Sequence, residues 1–191
     1  MNTDIHQQLE FCSAHRKPRE AIRDYILKNP AVFPNLLQMA FDTDYKFHFK
    51  ACWIIELVAE ERLDWLQPHL DFFCNHLKIL KDESGIRPIA KVCMLLVKSN
   101  SNDKSQAIKL FESQLEKLTE ICFVWLISET KVAAKAYAIR TLFTIGKKHD
   151  WVYPELRIIL EKDYQYHTAA YKAVAREILK KLKSLENFNS N

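Results

Sequence analysis

Two groups of residues in this chain have side chains that could bind a metal. His48, Cys52 and Glu56 recur every four residues, which places three potential ligands along one face of a helix. His69 and His76 share a face a little further along the chain. A zinc site needs about four ligands that converge tetrahedrally, and one straight row of side chains cannot supply them. We therefore predict no metal site and no cofactor here, and interpret these residues as ordinary core and surface positions.

Carboxylate pairs with helical spacing are the candidates for acid–base chemistry. Glu56 with Glu60, and Glu112 with Glu116, each lie four residues apart. Such spacing is typical of a solvated helix face, and general acid–base catalysis also requires a pocket that perturbs a pKa. The chain has no Gly-x-Ser-x-Gly or His-Glu-x-x-His motif, and it lacks the mobile Gly-Ser-Ser loop of the fumarase and aspartase lyases. With only two glycines, phosphate-cradling and dinucleotide-binding turns are also disfavoured. We predict that the protein is not an enzyme.

The basic residues near the C-terminus are the best functional candidates. Residues 131–191 contain 12 Lys and Arg against six Asp and Glu. If the two helices that carry them stack side by side, their cations could form a continuous patch that attracts phosphates or an acidic protein. The alternative is a solvated outer face that keeps an apolar-rich protein soluble. The candidate binding patch consists of Lys131, Lys135, Arg140, Lys172, Arg176 and Lys180.

The elements that position these residues are predicted to be helices. Apolar residues recur at i, i+3, i+4 and i+7 along nearly the whole chain, and no sustained alternation of period two occurs. The fold class is therefore all-α, and residues 186–191 are predicted to form a disordered tail. The predicted helices are 4–14, 18–29, 31–41, one that Asp44 caps, 68–81, one from Gly85 to about Val97, 104–127, 131–148 and about 167–185.

One short element occurs twice, displaced by 86 positions. Half of that displacement is 43 residues, within the period of roughly 40–47 residues expected of two-helix repeats. We interpret the element as a structural turn, in which Asp accepts backbone N–H bonds, Pro fixes the first turn of a helix, and Trp packs on Leu across the helix start. The two copies are Asp64, Trp65, Pro68 and Leu70, and Asp150, Trp151, Pro154 and Leu156.

These repeats resemble the HEAT-like and armadillo-like α-solenoid family over roughly residues 18–185. Asp64 and Asp150 match the Asp that the family places between its two helices, and Pro88 is a possible counterpart of its first-helix Pro. Arg157 matches the basic residue early in the second helix, but Asp71 stands there in the other copy and departs from the Asp–Arg ladder between repeats. The resemblance implies a right-handed α–α superhelix of about four to five hairpins, forming a single domain over residues 1–191.

The resemblance implies two different functions. The first is a non-enzymatic scaffold or adaptor whose concave surface binds an unknown protein or peptide. The alternative is a nucleic-acid-binding protein related in fold to the DNA alkylation repair glycosylases, which use aromatic and acidic residues in a basic concave cleft. No motif of those enzymes is present to identify a catalytic residue. The candidate aromatic residues are Trp53, Trp65, Trp125 and Trp151.

The cysteines and the apolar runs indicate the cellular compartment of the protein and whether it crosses a membrane. The five cysteines are odd in number and include no Cys-x-x-Cys, which is typical of reduced thiols packed in a core. The run Ile121–Ile127 is far shorter than the roughly 20 apolar residues that cross a bilayer. No charged and apolar leader pattern is visible at the N-terminus. These features predict a cytoplasmic protein without a membrane span.

Overall fold

The computed structural model describes residues 4–102 and 107–189, and these residues form ten α-helices and no strand. Within the same ranges, four short 3-10 segments, Pro30–Val32, Leu63–His69, Leu77–Ile79 and Tyr164–Tyr166, connect or extend the helices. The predicted all-α fold class is confirmed. The helices are α1 Ile5–Phe11, α2 Arg16–Lys28, α3 Phe33–Phe41, α4 His48–Glu61, α5 Leu70–His76, α6 Glu83–Asn100, α7 Glu112–Ile127, α8 Val132–Ile145, α9 Val152–Asp163 and α10 Ala169–Asn189.

The helices form two layers that alternate along the chain. Layer one consists of α2, α4, α6, α8 and α10, and each of these helices packs against the next one in the layer. Layer two consists of α3, α5, α7 and α9, which fill the spaces behind layer one and contact one another much less. The described chain is therefore a stack of four helical hairpins that ends in α10.

Small residues allow the layer-one helices to approach closely. Ala51, Ala90, Ala138 and Ala175 lie on α4, α6, α8 and α10, and each is 0% exposed. A methyl side chain at a helix crossing brings the two backbones toward the short end of the usual interaxial range of about 8–10 Å. The buried apolar residues form one continuous core from Ile5 to Leu182.

Polar bonds between neighbouring layer-two helices reproduce the predicted period. Gln114 donates to the Asp71 carboxylate over 2.7 Å across 43 positions, and Lys117 donates to Asn75 over 2.6 Å across 42. Asp71, which departs from the expected Asp–Arg ladder, thus still connects one repeat to the next. Its partner is a glutamine that is 3% exposed rather than an arginine.

Several predicted helix boundaries differ from those in the structure. Asp44 does not cap α4, because that helix begins at His48 and its cap position is Phe47. The helix predicted over 104–127 begins at Glu112, and residues 104–106 of that range lie outside the described residues. Residues 107–111 are not helical, because the side chains of Ser99, Asn100 and Gln67 accept hydrogen bonds from three of their backbone N–H groups. At the C-terminus, α10 continues to Asn189, past the start of the predicted tail.

The repeated turn has a constant part and a variable part. Leu70 and Leu156 are 2% and 0% exposed, so both copies anchor their helix in the core. The prediction that the Asp of each copy caps a helix was wrong, because neither helix start has a side-chain cap. Asp64 instead pairs with Arg62 over 2.7 Å. The two tryptophans also differ.

Trp65 and Trp151 occupy unlike environments. Trp65 is half-buried, and its ring lies edge-on to Phe33 with centroids 5.6 Å apart. Trp151 is 55% exposed and stacks on Phe123 with centroids 6.2 Å apart. The turn therefore depends on its leucine for anchorage more than on its tryptophan.

Replacing Leu156 by alanine should lower the free energy of unfolding by about 2–5 kcal/mol, because it leaves a cavity at a fully buried position. The matched change Trp151→Ala in the same turn should cost about 1 kcal/mol or less, since that ring is largely in water. Urea denaturation followed by circular dichroism measures both. Equal losses of stability for the two variants would contradict this account of the turn.

All five cysteines lie in the core, as predicted. Burial raises the pKa of the Cys74 thiol to about 12 and that of the Cys122 thiol to about 12. It also raises the pKa of Cys12, where the nearby cations Lys50 and Arg19 oppose the shift. Thiols of this kind are poor nucleophiles, because the thiolate is the reactive form.

The native protein should therefore react slowly with Ellman's reagent near pH 8, and all five thiols should react quickly after unfolding in guanidinium. Cys12, which is the least shielded and lies near two cations, should react first. Mass spectrometry of the partly labelled protein identifies the site. Rapid native labelling of Cys93 or Cys122 would show that the core is more open than this packing implies.

No helix in the described part of the chain has the length and apolar character needed to cross a membrane.

Candidate functional site

A cleft of about 490 Å³ crosses the solvent-facing side of layer one, from α2 over α4 and α6 to α8. We name it the layer-one cleft. Most of its lining side chains carry charge, and one tryptophan forms part of its wall. The charged and aromatic lining residues are Arg16, Arg19, Trp53, Glu56, Glu60, Glu83, Arg87, Lys91, Lys131 and Tyr137.

Helical spacing places these side chains in the cleft. On α4, Trp53, Glu56 and Glu60 lie three and four residues apart, and on α6, Arg87 and Lys91 lie four apart. Each set therefore occupies one face of its helix. Most apolar residues of both helices point into the core instead, although Leu57 also lines the cleft. Two facing stripes, one acidic with an aromatic residue and one basic, form the centre of the cleft.

Glu56 is the most buried charged group in the cleft, with a side chain that is 6% exposed. Its Oε2 accepts a hydrogen bond of 2.7 Å from Arg87 Nη2, and its Oε1 accepts one of 3.3 Å from Arg87 Nη1. Lys91 Nζ lies 3.1 Å from the same Oε1 and also contacts Glu60. A carboxylate removed from water needs such partners, because an unpaired buried charge is costly.

Lys91 is held in its charged form by this arrangement. Burial lowers the pKa of its amine, but the hydrogen bonds to Glu60 and Glu56 raise it, and the net pKa lies above the ordinary lysine value. A raised pKa means that the folded state binds the proton more tightly. The resulting stabilisation is complete below the ordinary lysine pKa and is lost only as the pH rises through the folded value.

Trp53 and Arg19 form the wall of the cleft next to α2. The guanidinium carbon of Arg19 lies 5.7 Å from the centroid of the Trp53 ring, within cation–π range. Trp53 Nε1 donates a 3.0 Å hydrogen bond to the carbonyl of Ser84, which fixes the ring between α4 and α6. Arg19 donates to the His15 carbonyl over 3.3 Å, and among the described residues it has no carboxylate partner.

The cleft has a surplus of positive charge. Among the described residues that line it, five carry a cation and three a carboxylate. Lys131 lies 3.1 Å from Glu83 at one end, but the two side chains are 64% and 41% exposed, so water and salt screen this pair. Arg16 also pairs with Glu20 at the rim over 2.7 Å, and Arg87 and Lys91 are engaged by Glu56 and Glu60. Among the described residues of the cleft, Arg19 therefore remains as the cation that is available to an anionic ligand.

A family model described as a HEAT repeat domain matches residues 6–182 of the chain. The protein belongs to this HEAT repeat family. The match covers both layers and every helix that lines the cleft. No curated protein and no solved structure matches the chain. The family assignment indicates a helical-repeat scaffold, and it leaves the ligand of this HEAT repeat protein open.

The HEAT stack separates the six predicted patch residues. Lys131 lies in the layer-one cleft, and Arg140 lies further along α8, where it pairs with Glu177 over 3.5 Å. Lys135 is 5% exposed and donates to the Leu126 carbonyl over 2.8 Å. It therefore satisfies a carbonyl at the end of α7 and does not belong to an exposed patch.

The other three predicted cations lie between the last two helices. Arg176 and Lys180 line a groove of about 530 Å³, and Lys172 lies beside the Tyr164 ring that forms part of its wall. The structure does not bring the six residues together in one continuous basic patch. One lies in the cleft, one is buried, Arg140 pairs with Glu177 outside both places, and the other three lie at the last two helices. We name this second feature the α9–α10 groove; it is lined by Arg157, Glu161, Tyr164, Arg176, Leu179, Lys180 and Lys183.

Three of the residues considered as metal ligands have other partners. Cys52 Sγ lies 3.4 Å from the Ala40 carbonyl, Glu56 pairs with Arg87, and His76 stacks on Phe72 with ring centroids 4.1 Å apart. Within the described residues, no group of three or more His, Cys, Asp or Glu side chains is placed to hold a metal ion.

The central residues of the cleft were not predicted as a site. Trp53 was considered with the other tryptophans, but its pairing with Arg19 depends on the packing of α2 against α4. One signal was present in the sequence: Glu56 with Glu60, and Arg87 with Lys91, have the same spacing and are offset by 31 positions. Complementary charge pairs at one offset indicate two helices that face each other.

Replacing Glu56 by alanine should lower the free energy of unfolding by about 2–3 kcal/mol, because it leaves Arg87 half-buried without its carboxylate. The control is Glu20→Ala, which breaks an exposed pair with Arg16 at the rim and should change stability little. Urea denaturation measures both. A loss of stability for Glu56→Ala no larger than for the control would mean that the network does not stabilise the fold.

Proposed function

We propose that this protein is a non-enzymatic helical-repeat adaptor that binds an acidic segment of another protein in the layer-one cleft. One observation carries the proposal: a cleft across four successive layer-one helices has more cations than carboxylates among its described residues and contains an arginine stacked on a tryptophan. Solenoid repeats build extended binding surfaces of this kind without needing catalytic groups.

The packing of the two layers supports layer one as the concave side. Helices on the inner side of a curved stack lie closer together than those on the outer side. Layer-one neighbours pack extensively through α4, α6 and α8, while layer-two neighbours contact one another little. We infer that the cleft lies on the concave surface, where a bound segment contacts several repeats at once.

The charges of the cleft favour an acidic ligand. The oxygens of Glu56 are occupied by Arg87 and Lys91, and Glu60 is engaged by Lys91 as well. Arg19 uses one N–H on a backbone carbonyl, so its remaining N–H groups can donate to a carboxylate. Trp53 beside it offers an aromatic surface, and Trp and Arg are among the residue types that most often dominate binding energy.

The same contacts support a binding function over a catalytic one. A general base needs a carboxylate oxygen free to take a proton, whereas both oxygens of Glu56 accept hydrogen bonds from cations.

We also propose a cytoplasmic location, which the five buried thiols favour because a reducing compartment keeps such thiols free.

Selection from a random peptide display library should yield peptides rich in Asp and Glu that bind the wild-type protein. The double variant Arg19→Gln/Trp53→Ala should weaken their binding about tenfold or more, since it removes the central cation and its aromatic support. Isothermal titration calorimetry with the selected peptides measures this change.

The chain offers a matched control for that variant. Arg62 lies over Trp65 in a second arginine–tryptophan pair, 4.9 Å from the ring centroid and outside the cleft. Arg62→Gln/Trp65→Ala should bind the peptides with wild-type affinity. Failure to select acidic peptides, or equal weakening in both variants, would overturn the proposal. Duplex DNA binding that depends on Arg19 and Trp53 would assign the cleft to nucleic acid instead.

A further inference from the structure

The α9–α10 groove contains cations that an aromatic side chain holds in place. Arg176 donates from Nε and Nη2 to the Tyr164 hydroxyl over 3.2 and 2.8 Å. Lys172 Nζ lies 5.9 Å from the centroid of the same ring. A phenol hydroxyl orients a guanidinium but does not neutralise it. The positive charge of Arg176 therefore remains available to a ligand.

The cations of the groove form a row along α10. Arg176, Lys180 and Lys183 lie four and three residues apart, which separates them by about 6 and 4.5 Å along the helix axis. Neither lysine has a carboxylate partner among the described side chains. Of the described residues that line the groove, Glu161 on α9 is the one carboxylate. Such a row suits a ligand with several negative charges in line.

An exposed aromatic side chain lies two residues along the chain from Tyr164, which lines the groove. Tyr166 is 79% exposed and belongs to the same 3-10 segment as Tyr164. Its ring is largely in water, and nothing in the described part of the chain covers it. Proteins that bind single strands combine a basic groove with exposed aromatic rings on which bases stack. Tyr166 and the α9–α10 groove provide both parts.

We propose that the α9–α10 groove binds single-stranded nucleic acid. Arg176, Lys180 and Lys183 contact successive phosphates, and Tyr166 stacks on a base. A planar membrane surface does not follow a groove between two helices, and an acidic protein segment would leave Tyr166 without a planar partner. The site shares no side chain with the layer-one cleft. This proposal therefore goes beyond the adaptor function and is tested separately from it.

The test uses a fluorescent oligothymidylate of about 12 nucleotides, within the range of typical single-strand sites, and fluorescence anisotropy from about 50 to 200 mM salt. The full chain should bind it with an affinity that falls with salt. Lys180→Gln/Lys183→Gln should weaken binding about tenfold. It should also reduce the magnitude of the slope of log affinity against log salt concentration by about 1.4, which is about 0.7 for each phosphate that is no longer neutralised. Tyr166→Ala should weaken binding about tenfold and leave the slope unchanged.

Lys28→Gln/Lys81→Gln is the charge-matched control, because both lysines are exposed and lie outside the groove. It should keep wild-type affinity. No binding at low salt, or equal weakening in the control, would overturn the proposal. The proposal would also be overturned if Tyr166→Ala left the affinity for the oligonucleotide unchanged and duplex DNA bound equally well. A preference for anionic vesicles or for an acidic peptide over the oligonucleotide would overturn it as well.

Discussion

The structure depends on the close approach of consecutive layer-one helices. Ala51, Ala90 and Ala138 are fully buried on α4, α6 and α8, and larger side chains there would push the helices apart. A single hairpin cannot bury its apolar face, so this approach supplies the core of the whole stack. It also fixes the distance between the outward faces of these helices. The chemistry of the cleft follows from that distance, because charged side chains on neighbouring helices come within hydrogen-bonding reach.

The register between α4 and α6 then determines which charges meet. Three contacts share one offset of 31 positions: Trp53 with Ser84, Glu56 with Arg87, and Glu60 with Lys91. A slip of one helical turn would leave the buried Glu56 without its arginine, and an unpaired carboxylate at that depth is strongly disfavoured. The network therefore contributes to specificity as well as to stability. It also holds the cleft walls in place before any ligand arrives, which reduces the entropy lost on binding.

The sequence predicted the helices and their period well, because apolar periodicity is a local property and the same apolar residues form the core. The predicted helix bounds and exposed residues were wrong where side chains bind backbone groups that are distant along the chain. Residues 107–111 were predicted to be helical, yet Ser99, Asn100 and Gln67 hold their N–H groups in another conformation. Lys135 has the spacing of a surface cation, but the end of α7 places a carbonyl within its reach. The same limit applies to the cleft, because the α6 partners of its α4 side chains lie 31 positions away and spacing within one helix cannot identify them.

The two grooves differ in how they depend on the stack. In a solenoid each repeat contacts only its neighbours, so stability is roughly a sum of repeat and interface terms. The layer-one cleft draws its walls from α2, α4, α6 and α8, and a ligand there connects several interfaces at once. The α9–α10 groove lies at the end of the described stack, where α10 packs on α8 and α9. A ligand in the cleft should therefore stabilise the middle of the protein cooperatively, whereas a ligand in the groove acts on the terminal helices. Because α8 packs against both α6 and α10, it is the helix through which binding at one site would affect the other.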